Sequence, residues 1–235
     1  MLAHYIDTAM PGGFKAQLVA NSRLAAARYQ AALVAARDSL VDALEADAKS
    51  LAAVPDDMVA EMDGYDGFRA RAFRRLDLIK RLEFAAVVSA SQNQKQVLDQ
   101  WSDPTTNDDR IKAFKRPLGG PDPAKTSPLA ILCVKSMLLT GFDAPVEQII
   151  YLDRPMQGAE LLQAIARVNR TANGKNSGFV VDYVGLGDRL SDALKVYAAT
   201  DVVGAVRSIG DQLPVLEARH AKVVSIFTDN KVASL

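Results

Sequence analysis

Five short apolar segments, separated by helical or polar stretches, predict an α/β fold built on a mostly parallel sheet. The segments are Phe14–Ala20, Phe84–Ser89, Leu129–Val134, Gln148–Leu152 and Gly178–Asp182. Parallel strands need crossover connections of a dozen or more residues, and most of the intervals here are long enough to supply them. The 235 residues, 49% of them hydrophobic, suffice to bury a core.

Taken in order, Met1–Thr8 shows no cap, no clear period and no partner, and no element is assigned to it. Phe14–Ala20 reads as a buried strand ended by Asn21 and Ser22, both good helix N-caps, with an alanine-rich helix from about Arg23 to Ala53. Pro55 marks a break. A second helix is expected over Phe68–Leu82, with Phe73, Leu76 and Ile79 on one face, and another through Arg110–Lys115. Pro117–Pro128 holds four prolines and two glycines and reads as an exposed loop. From Leu190 onward the pattern is helical to the end, broken at Pro214.

Charge and cysteine content narrow the function classes. The 28 basic and 28 acidic residues cancel, so any nucleic-acid surface must be a local patch. Cys133, the single cysteine, lies in an apolar run and excludes an internal disulfide framework. No apolar stretch reaches the roughly 18 residues of a membrane span, and the N-terminus lacks a signal-peptide pattern. The expectation is a soluble cytoplasmic protein with no membrane partner.

Two segments carry candidate chemistry. In Met137-Leu-Leu-Thr140-Gly141-Phe142-Asp143-Ala-Pro145, Gly141 lets backbone approach a ligand, Thr140 offers a hydroxyl and Asp143 a carboxylate. A simple turn with a capping aspartate fits the same residues. In the second segment, Gln163, Arg167 and Arg170 fall within about 60° of one another on a helix. Leu161, Leu162, Ile165 and Val168 occupy the opposite arc. Arginine's fork of donors suits phosphate oxygens. A solvated polar face remains open as the plainer reading.

Other patterns are weaker. Gly119–Thr126 nearly spells a phosphate loop, but alanine replaces its second glycine and prolines stand at 121 and 123. Proline has no N–H to direct at a phosphate, and a strand rather than a helix follows. Asp153 and Asp182 end apolar strands and read as polar strand ends rather than metal ligands. The basic run Arg69, Arg71, Arg74, Arg75, Lys80 and Arg81 reads as a solvated helix face before a nucleic-acid surface. His4 and His220 are isolated, and no metal site is expected.

Thr140-Gly-Phe-Asp143 and Gln163-x-x-x-Arg167-x-x-Arg170 resemble motifs V and VI of superfamily 2 helicases and translocases. Together with Tyr151-Leu-Asp-Arg-Pro155 and Val181-Asp-Tyr-Val-Gly185 they are similar, more narrowly, to the motor (restriction, R) subunit of type I restriction-modification enzymes. Phe14–Arg23 resembles that family's segment around motif IV, and the similarity spans roughly residues 13–190.

The resemblance implies a second RecA-like domain over residues 1–190 and the start of a helical region over 191–235. It further implies that ATP and Mg²⁺ bind mainly to a first RecA-like domain. Arg167 and Arg170 would then be arginine fingers, with Gln163, Asp143 and Gly141 near the nucleotide and Thr140 and Gly141 near the backbone of double-stranded DNA. Methylation and specificity subunits are the implied partners. Ala166 departs from the glycine that many helicases carry there. The first RecA-like and nuclease domains have no counterpart in this sequence, so the expectation is a fragment or truncated frame, inactive alone. A catalytically inactive module binding DNA or a protein partner is the alternative.

Overall fold

The computed structural model describes residues 1–90, 95–120, 122, 124–139, 141–169, 175 and 177–187. Within them the five expected strands form one sheet: β1 (Lys15–Ala20), β2 (Glu83–Val87), β3 (Leu129–Val134), β4 (Glu147–Asp153) and β5 (Phe179–Asp182). Their order is β2-β3-β1-β4-β5, and every pairing is parallel. β1 and β3 are buried along their whole length, as expected for strands covered on both faces. This is a RecA-like α/β fold, a parallel sheet flanked by helices.

One face of the sheet is covered by α1 (Leu2–Thr8), α2 (Arg23–Ala46), α3 (Ala48–Ala52), α4 (Asp56–Glu61), α5 (Gly64–Phe73) and α6 (Leu76–Arg81), which pack on one another and, through α2, on the strands. Alternate strand residues point into this layer: Ala16 and Leu18 of β1, Ile131 and Cys133 of β3, Ile149 and Tyr151 of β4. The intervening residues, Val19, Leu132, Val134, Ile150 and Leu152, face the other layer. There α8 (Pro104–Lys115) and α9 (Gly158–Val168) cover the sheet, while α7 (Lys95–Ser102) packs at the β2 edge against both α2 and α8. No described helix is long and apolar enough to cross a membrane.

The departures from expectation are local. Met1–Thr8 is a helix: Leu2, Tyr5 and Ile6 recur at helical spacing and are buried. It is tied down by Tyr5 Oη donating to the Phe14 carbonyl at 2.9 Å and by the Asp7–Arg71 ion pair at 2.7 Å. The long alanine-rich helix begins on its Ser22 cap, where Oγ accepts from the Ala25 N–H at 3.0 Å, but α2 ends at Ala46 rather than running to Ala53. Asp47 leaves the helical region there, its carboxylate engaged by Arg69. The Phe68–Leu82 helix is two helices, because Arg75 adopts φ −119°, ψ 18° between them. The Pro117–Pro128 loop is anchored rather than wholly exposed, since Leu118 is buried and bridges Ser127. The helical region expected beyond residue 190 lies outside the described residues.

Candidate functional site

The loop from β3 to β4 and the following helix are brought together on the α8–α9 face. After Val134 the chain turns through Leu138, which holds φ +67°, a left-handed conformation that costs a branched side chain roughly 1–2 kcal/mol. Leu139, Phe142 and Ala144 are buried and anchor the loop from beneath, while Gly141 and Asp143 stand exposed between them. Gly141 has φ +66° and open space where a Cβ would be, so backbone conformation rather than crowding asks for glycine.

Phe142 is the centre of this loop. Its ring lies 6.2 Å from that of Phe114 on α8, and the guanidinium of Arg167 and Nζ of Lys115 each sit 5.3 Å from its centroid. Arg167 Nη1 also donates to the Phe142 carbonyl. Arg167 is only 5% exposed, although the helical wheel groups it with Gln163, which is exposed. The guanidinium is turned into the lobe and holds the loop. Asp143, Gly141 and Gln163 are at the surface, whereas Thr140 and Arg170 lie outside the described residues.

Beneath this clamp is a polar group that the sequence reading did not single out. Lys15, Gln17 and Glu147 are fully buried, and Lys175 is 7% exposed. Lys15 Nζ donates to the Ala113 carbonyl at 3.2 Å and sits over the Phe114 ring at 5.5 Å. Burial, with the positive charge of Arg116 adding to it, pushes the Lys15 amine down to about 7, against the pull of Glu83. Burial pushes the Glu147 carboxyl up to about 8, opposed by the positive charges of Arg167 and Lys175. One signal was available: a lysine and a glutamine inside a strand read as buried imply enclosed polar groups.

The remaining candidates resolve into structural roles. Lys125 pairs with Asp122 in a turn, and β3 rather than a helix follows Gly119–Thr126, so no helix N-terminus follows that segment as a phosphate loop requires. Asp153 accepts from Tyr29 Oη at 2.7 Å, and Asp182 accepts from the backbone N–H groups of Val184 and Leu186. Four of the basic residues at 69–81 are engaged internally: Arg69 with Asp47, Arg71 with Asp7, Arg74 with Asp56 and Lys80 with Glu45. Cys133 is buried, its thiol pushed upward by desolvation.

Comparison with known proteins points to one group. Residues 109–185, which hold the second half of α8, the loop and α9, match the family described as type I restriction enzyme subunit R domain 3. The type I restriction enzyme HindI endonuclease subunit of Haemophilus influenzae is 52% identical over 119 residues, 46% of this chain and 11% of that protein. The putative MjaIXP endonuclease subunit of Methanocaldococcus jannaschii is 39% identical over 101 residues, 43% of this chain and 10% of that protein. The SauCOLORF180P endonuclease subunit of Staphylococcus aureus is 33% identical over 115 residues, 48% of this chain and 12% of that protein. The matched stretches therefore span only about a tenth of these relatives.

Proposed function

We propose, for a chain that belongs through residues 109–185 to the type I restriction enzyme R-subunit family, that it acts as the second RecA-like lobe of an ATP-dependent DNA translocase. The observation that carries the reading is the bond from Arg167 of α9 to the Phe142 carbonyl. It joins the helix that bears the candidate phosphate-contacting Arg167 to the loop that bears Gly141. A change in the seat of Arg167 is therefore felt in the loop, which is the coupling a motor needs between nucleotide and DNA.

In this reading ATP and Mg²⁺ are held mainly by a first motor lobe, in keeping with β3 rather than a helix following the near-match at Gly119–Thr126. Arg167 and Arg170 offset charge on the transferring phosphoryl group, and Gln163 and Asp143 border the nucleotide. Thr140 and Gly141 face the backbone of double-stranded DNA. Assembly is with that first lobe and with the methylation and specificity subunits of a restriction complex.

One observation favours the alternative, a helicase-like module without catalysis: Arg167 is turned inward rather than offered to a ligand. Purified chain assayed with ATP, Mg²⁺ and duplex DNA separates the cases. The proposal expects no turnover by the chain alone and turnover on joining it to a first motor lobe of the family. Turnover by the chain alone that Arg167→Ala abolishes, or none in the joined protein, contradicts it.

A further inference from the structure

Among the described residues β2 is an edge strand, and side chains rather than another strand meet its outer carbonyls. Arg37 Nη1 donates to the Leu82 carbonyl at 2.6 Å, Gln30 Nε2 to the Phe84 carbonyl at 3.2 Å and Asn107 Nδ2 to the Val88 carbonyl at 3.3 Å. With these acceptors taken, the edge is guarded against pairing with a further strand. What remains along it is a groove, with β2 at its floor and α2, α6 and α8 as walls.

Two cavities make up the groove. One, of about 460 Å³, lies between α2 and α8, and Val34, Phe84, Ala85, Trp101 and Leu129 give it an apolar lining. The other, of about 590 Å³, lies beside α6 and is lined by Arg37, Lys80, Arg81 and Arg116, with Glu83 the single acid among its described lining residues. Arg37 and Glu83 line both, so the two adjoin. Gly120, at φ +104°, belongs to the wall of the basic cleft, where a Cβ would come within 2.8 Å of Thr126. Arg81 is exposed and held through Nε by the Asp77 carbonyl at 3.1 Å. Lys80 and Arg37 pair with Glu45 and Asp38, acids that are themselves about half-exposed. Exposed pairs of this kind are weak and give way to an incoming carboxylate.

We propose that this groove docks an extended segment of a partner protein, one that places an apolar side chain in the cavity beside Trp101 and acidic side chains in the cleft around Arg81. The basic cleft supplies charge complementarity, and the apolar cavity takes the anchor that gives such contacts their strength. A nucleic acid matches the groove less well. Its strand carries a charge at every nucleotide and meets Glu83 at the junction, where a peptide can set a neutral residue. The Arg110 guanidinium already lies 4.6 Å from the Trp101 ring centroid, so that face is not offered to a base. The proposal is independent of the ATP-site reading, because β3 and β1 stand between β2 and β4, the strand on which α9 packs.

Selection of randomised peptides on the intact chain, without nucleotide, tests this. The enriched peptides are expected to share an apolar residue with acids a few positions away. A labelled peptide of that pattern is expected to lose affinity by about tenfold or more with Arg81→Glu and with Val34→Glu. Arg28→Glu, an exposed position on the opposite side of α2, is expected to leave it unchanged. Arg81 is exposed, so its variant keeps the fold and decides the matter even where Val34→Glu does not fold. Enriched peptides without the shared pattern, or affinity indifferent to Arg81→Glu, overturn the proposal. Displacement of the peptide by a single-stranded or duplex oligonucleotide also overturns it and assigns the groove to nucleic acid. Self-association of the chain that Arg81→Glu abolishes overturns it in favour of a second copy.

Discussion

The two faces of the sheet are built from the same five strands but solve different problems. The face under α2 and its neighbours is lined by Ala16, Leu18, Ile131, Cys133, Ile149 and Tyr151, with charged groups kept at its rim as ion pairs such as Arg71–Asp7. The face under α8 and α9 buries Lys15, Gln17, Glu147, Arg167 and Lys175 and carries the left-handed Leu138 in its loop. Apolar burial supplies stability without needing partners. Enclosed charges cost stability unless each is matched, and strain persists only where surrounding structure enforces it. The first face is a foundation; the second gives up stability to hold a loop and an arginine in a defined relation.

Substitutions on each side sharpen this contrast. The largest effect on stability is expected from Ile131→Ala on the apolar face, a loss of about 2–5 kcal/mol in chemical denaturation. A loss below 1 kcal/mol there would deny that face its role as foundation. On the polar face Gln17→Leu should act in the opposite sense. Both polar atoms of the Gln17 amide are buried without a hydrogen bond, so replacing it should stabilise by about 1–3 kcal/mol. Destabilisation would instead reveal that the amide is satisfied, for example by enclosed water.

The pH dependence of stability follows from the two buried titrating groups. Glu147 is raised from 4.5 to about 8, so its contribution is present below pH 4.5 and is lost as pH rises through 8. Lys15 is lowered from 10.5 to about 7, so its contribution is present above pH 10.5 and is lost as pH falls through 7. Together they place their least favourable combined contribution near pH 7–8. In denaturation across that range, Glu147→Gln should remove the decline on the acid side and Lys15→Met the recovery on the alkaline side. Unaltered profiles would mean that neither group is enclosed as described. The smallest effect is expected from Leu138→Gly, a gain of about 0.5–1 kcal/mol as left-handed strain is relieved, partly offset by unfolded-chain entropy. A clear loss in a melting experiment would show that the Leu138 side chain contributes more than its backbone costs.

The sheet was legible because strands such as Leu129–Val134 are buried on both sides and so read as unbroken apolar runs. The α1 helix was not, since three buried residues in a seven-residue element give too short a periodic signal. The wheel of α9 correctly placed Gln163 at the surface, but it could not place Arg167. Helical spacing fixes the direction of a side chain and says nothing of a loop that folds over it. Arg167 is enclosed by Phe142, which is 25 residues away in sequence. Glu147 was hidden for a related reason, since it sits where the pairing of β1 with β4 takes up one extra residue, and bulges leave no period in the chain.

The central claim is that α9 and the loop after β3 form one shared half of an ATP site. The most direct measurement is DNA-stimulated ATP hydrolysis by a complete R subunit carrying this lobe, comparing the unaltered protein with Arg167→Ala and Arg170→Ala. Loss of an arginine finger is expected to lower the rate by about 10³–10⁵-fold in at least one variant, with the fold retained by circular dichroism. Unchanged hydrolysis in both variants would contradict the claim.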